Sequence, residues 1–67
     1  MIDDKDIWRA ATLLIRRAGD TAAADALRRA DELATQGDNE GCAVWRLIAA
    51  AVEDLSRKER GAGEPLN

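Results

Sequence analysis

Apolar residues recur along the chain at the three-and-four spacing of amphipathic helices, in three runs separated by Gly-Asp pairs. Ile7, Ala11, Leu14, Ile15 and Ala18 form the first stripe, with Trp8 at its border. Asp3 stands where an N-cap belongs. Asp4 and Asp6 follow in the first turn, and Arg16 and Arg17 occupy the last, each sign at the end of the helix dipole that favours it. The second stripe is Ala23, Ala26, Leu27, Ala30, Leu33 and Ala34, with Asp20 as the expected cap. The third and clearest is Gly41, Val44, Trp45, Ile48, Ala51, Val52 and Leu55, starting after Asp38 with Glu40 in its first turn. The pattern predicts helices over about 4–18, 21–36 and 39–59. It predicts i,i+4 pairs Asp25–Arg29, Arg28–Glu32, Glu53–Arg57 and Asp54–Lys58 on their outer sides.

Gly19 and Gly37 each precede an aspartate, so a helix stop is followed at once by a helix start. Connections this short turn neighbouring helices back on one another. The expected architecture is all-α, a compact three-helix, bundle-like domain over residues 1–60. Residues 61–67, Gly-Ala-Gly-Glu-Pro-Leu-Asn, read as a disordered C-terminal tail. The large apolar residues predict an eleven-residue core: Ile7, Trp8, Leu14, Ile15, Leu27, Leu33, Val44, Trp45, Ile48, Val52 and Leu55. Gly41, inside the third helix on its apolar side, suggests a close helix contact with a Trp ring over the gap.

Composition supports this reading and removes most chemistry. Fourteen of 67 residues are alanine and only six are Val or Ile, which disfavours strands. No histidine and a single cysteine exclude the usual zinc sites and His-assisted nucleophilic catalysis. Asp3, Asp4 and Asp6 are accounted for by capping, and so is Gly37-Asp38-Asn39-Glu40-Gly41, which is too short for a calcium loop and lacks the Lys-Ser/Thr element of a phosphate loop. We therefore expect no enzyme, no cofactor and no metal. Cys42 is expected to be a buried, reduced thiol.

The net charge of −3 opposes nucleic-acid binding. Arg16-Arg17 and Arg28-Arg29 are basic pairs, but Asp20, Asp25, Asp31 and Glu32 lie close enough to neutralise them. A helix-turn-helix regulator remains the alternative reading, resting on Arg28, Arg29 and Arg46. The acidic N-terminus has no apolar signal core and no uncharged stretch is long enough to span a bilayer, so a cytoplasmic protein without membrane contact is expected.

Trp8, Arg29-Ala30, Gly37-Asp38-x-Glu40-Gly41, Trp45 and Ile48 resemble a family of small uncharacterised alphaproteobacterial helical proteins, a domain of unknown function. The resemblance covers about residues 6–56, and its specific part is Gly-Asp-x-x-Gly-x-x-x-Trp-x-x-Ile over 37–48. It implies a compact helical bacterial protein and carries no catalytic residues. Residues 30–51 also resemble the middle of a tetratricopeptide repeat, although Gly41 replaces the usual alanine and no proline closes the unit.

Leu13, Leu47 and Ile2 lie off the main stripes. Three large apolar residues outside the expected core of so small a domain point to an interface, and a tryptophan edge is a natural anchor for one. The predicted contact surface is Leu13, Leu47, Trp8, Trp45 and Ile2. The expected partner is a second copy, or another protein, in a non-catalytic interaction or self-association module.

Overall fold

The computed structural model describes residues 3–63, and the side chains of 3–58. The chain is all-α, with no strand among the described residues. Helix α1 spans Asp4–Ala18, α2 Ala22–Thr35 and α3 Asn39–Gly63. Of the two expected breaks, only the second interrupts the helical run. At the first, Gly19–Thr21 forms a single 3-10 turn that joins α1 directly to α2.

That difference has a local cause. Gly19 takes φ 58° and ψ −124°, a conformation costly for any residue with a Cβ, and its N–H closes on the Ile15 carbonyl. The 3-10 turn then carries the chain one residue further than expected, so Thr21 rather than Asp20 stands at the N-cap position. Thr21 caps nothing with its side chain. Its hydroxyl donates to the Ala18 carbonyl at 3.1 Å.

The second junction follows the sequence closely. Gly37, at φ 84°, donates its N–H to the Ala34 carbonyl, and Asp38 donates to Leu33 at 2.8 Å. This double closure is a Schellman motif, which satisfies carbonyls that the end of α2 leaves open. Asp38 then starts α3: its Oδ1 accepts from the Gly41 N–H at 2.9 Å, and its carbonyl accepts from Cys42. One residue ends a helix and caps the next, so a three-residue connection suffices.

Gly41 is explained by the same cap. A Cβ there would stand 2.5 Å from Asp38 Oδ2 and 2.9 Å from its Cγ. The group over the gap is thus the capping carboxylate, not the tryptophan ring anticipated above. Gly41→Ala is expected to change stability little. Roughly 1 kcal/mol of helix propensity is gained, and a cap worth about as much is disturbed. In an Asp38→Ala background the same substitution should stabilise by about 1 kcal/mol. Urea melts of the four proteins measure this, and equal effects in both backgrounds would mean that the carboxylate does not crowd position 41.

Helix α3 is the spine on which both others pack. Ala22 and Ala26 cluster with Ile48, Ala49 and Val52, while Ala30 and Leu33 cluster with Cys42. Contacts therefore run in opposite directions along α2 and α3, which form an antiparallel hairpin. Ile7 and Ala11 bring α1 onto the same α3 segment. The buried set is Ile7, Ala11, Ala22, Ala26, Ala30, Leu33, Cys42, Ile48, Ala49, Ala51 and Val52, and no large side chain in it is fully enclosed.

Only Ile7, Leu33, Ile48 and Val52 of the expected core are in that set. Leu14, Ile15, Val44, Trp45 and Leu55 are half-buried at its margins. Trp8 and Leu27 are exposed. Six alanines occupy the centre instead. Alanine lets helix backbones approach closely, and larger side chains then have room only at the edges of the contact.

Helix α3 also continues to Gly63, three residues into the expected tail, because glycine weakens a helix by about 1 kcal/mol without forbidding it. The rest of that segment, 64–67, lies outside the described residues.

Candidate functional site

Among the described residues, four large apolar side chains stand out from the surface: Trp8 at 38% exposure, Leu13 at 52%, Leu27 at 50% and Leu47 at 54%. Trp8 and Leu47 come together. They line one groove between α1 and α3 with Ile7, Ala50 and Ala51, and Asp4, Glu53, Asp54 and Arg57 rim it. Helix α1 presents Trp8 about 100° around from Ile7, the first buried residue of its stripe, so the indole sits at the edge of the core rather than in it. Lys58 reaches back from α3, its Nζ 5.9 Å from the centroid of the ring. A cation at that range is attracted by the electron-rich ring face and holds the indole in place.

The other predicted interface residues are placed apart. Leu13 is about 140° from Trp8 around α1 and does not line the groove. Trp45 is half-buried and packs against both core clusters, where it bridges the two halves of the α2–α3 contact. Ile2 lies outside the described residues. Leu27, expected in the core, is the exposed residue that sequence reasoning missed. Its helical offset of about 100° from Ala26 was the available signal.

The charged residues pair locally. Arg28 meets Asp25 at 3.3 Å, Arg29 meets Glu32 at 3.2 Å, and Arg57 approaches Asp54 at 3.9 Å, all at i,i+3. The i,i+4 partners expected from the sequence are not the ones chosen. Both residues of the Arg28-Arg29 pair thus face carboxylates on their own helix. Lys58, freed from Asp54, is the one that reaches Trp8.

A second groove runs between Ile15, Gly19, Asp20 and Ala23 on one side and Val52, Glu53, Ser56 and Arg57 on the other. Among the described residues, no polar side chain is buried without a partner, and no group of three or more Cys, Asp or Glu side chains converges on a metal-sized site. Cys42 is a buried free thiol. No helix among the described residues is long and apolar enough to cross a membrane.

Comparison of the chain with protein-family models, with curated proteins and with solved structures finds no match.

Proposed function

We propose that the protein is a non-catalytic self-association module of the cytoplasm, a three-helix, bundle-like scaffold that pairs with a second copy through the surface holding Trp8 and Leu47. The observation that carries this reading is the groove in which an exposed tryptophan and an exposed leucine adjoin Ala50 and Ala51. Scattered apolar residues on a surface need no explanation, but a contiguous set with a tryptophan at its edge has the makeup of a binding hot spot.

A core centred on alanines buries little apolar area at each helix contact, and a 67-residue domain has few such contacts to add together. Association is a common remedy for domains of this size.

Sedimentation equilibrium across a concentration series tests the proposal. The protein should populate a dimer. Leu47→Asp should weaken that dimer about a hundredfold, because an unpaired carboxylate would enter the contact from both copies. Leu13→Asp should leave it unchanged, and both variants should stay helical by circular dichroism. A wild-type protein that is monomeric at every concentration removes the reading.

A further inference from the structure

We infer that the two copies pair through α3, antiparallel, about a two-fold axis crossing the helix between Ile48 and Ala49, with Glu40 of each copy opposite Arg57 of the other. This arrangement rests on the self-association reading and gives it a geometry. The face of α3 turned away from the core carries Glu40, Ala43, Leu47, Ala50, Asp54 and Arg57, all exposed. They follow one another at intervals of three, four, three, four and three, the spacing of a coiled-coil seam. The stripe is about 25 Å long at 1.5 Å per residue. Its middle is apolar, with two alanines that let a second helix come close and one leucine to fill the space. Its ends are charged, with Glu40 toward the start of the helix and Arg57, which approaches Asp54 of its own helix at 3.9 Å, toward its end.

A stripe of this polarity selects its own partner. Two copies set parallel and in register would place Glu40 on Glu40, Asp54 on Asp54 and Arg57 on Arg57, and like charges opposed across a helix pair repel. Two copies set antiparallel bring Glu40 to Arg57 at both ends and Leu47 to Ala50 at the centre, while Ala43 leaves room for the solvated Asp54 carboxylate. The flanking positions fix the register. Arg46 and Glu53, both exposed, stand seven residues apart along one edge of the stripe. In the register proposed they face each other across the axis, twice. A slide of one heptad in one direction sets Arg46 on Arg46, and in the other direction Glu53 on Glu53. Complementary charge in one register and repulsion in its neighbours is the usual way that helices specify pairing. The groove adjoins the stripe, with Trp8, Leu47, Ala50 and Glu53 all lining it, so Trp8 would border the partner helix.

Charge exchange tests this. In sedimentation equilibrium, Glu40→Arg and Arg57→Glu should each weaken the dimer roughly tenfold, since each acts at two equivalent contacts. The double variant Glu40→Arg/Arg57→Glu rebuilds both contacts and should recover to within about threefold of wild type. Glu40 also lies in the first turn of α3, so its reversal costs some helix stability, and circular dichroism should show that the fold persists. Arg46→Glu, Glu53→Arg and their combination form a second cycle away from the helix start, with the same expected loss and recovery. A dimer that the single reversals leave intact, or that neither double variant restores, overturns the α3 pairing while leaving self-association standing. A protein with no dimer at all removes self-association itself, and the pairing with it.

Discussion

Ile48→Ala is expected to remove much of the protein's stability. Ile48 is 3% exposed and sits where α1, α2 and α3 meet, clustered with Ile7, Ala26 and Val52. Truncating a buried isoleucine costs about 2–5 kcal/mol, made up of lost transfer energy and the cavity left behind. A domain of this length has about 3–10 kcal/mol in total. The loss should appear in urea as a lower midpoint at unchanged slope, which marks a change in stability rather than in the surface exposed on unfolding. Leu27→Ala is the contrast. Leu27 is half exposed, so its truncation should cost no more than about 0.5 kcal/mol. Equal losses at the two positions would mean that the helices do not meet at Ile48.

Ala26→Leu is expected to destabilise, although it adds apolar surface to an apolar stripe. Ala26 has no exposed surface and lies at the α2–α3 contact, in a cluster that also holds Ala22 and Ala49. Alanine and leucine have similar helix propensities, so the backbone is indifferent to the change. The added side chain has to push α2 away from α3, a type of overpacking that costs about 1–3 kcal/mol. Tm should fall by about 5–20 °C in a domain of this size. Ala24→Leu makes the same chemical change at an exposed position of α2 and should leave Tm within a few degrees of wild type. A rise in Tm with Ala26→Leu would mean that the interior holds unfilled space.

These two substitutions mark where sequence reasoning reached and where it stopped. The periodicity located all three helical segments, since spacing along a helix is a property of the chain alone. Asp38 was legible because its capping partners lie within four residues of it. Asp20 was misread because one 3-10 turn shifts the cap position by a residue, and nothing in Gly-Asp itself signals that turn. The choice of i,i+3 over i,i+4 ion pairs is likewise invisible, as both spacings bring side chains together. Leu27 and the alanines went wrong together. Size suggested which residues should be central, whereas closeness of approach decided which could be. Leu47 was read correctly as lying off the core, and so was Leu13. That only Leu47 shares a groove with Trp8 depends on which flank of α1 faces α3, a relation between helices that no single stripe contains.

The two ways of reaching α3 differ in what they demand of the chain over time. Helix α2 is linked to α3 by three residues, so their hairpin can close as soon as both have begun to form. Helix α1 meets the same segment through Ile7, some forty positions before Ile48, and its arrival requires the larger loop to close. Distant closures come late in folding because their entropy is lost before any contact compensates it. Trp8 rides on the helix that arrives last, and the groove it shares with Leu47 exists only once that helix has docked. A half-folded chain has no such groove, so any interaction proposed to use it would have to wait until the chain has finished folding.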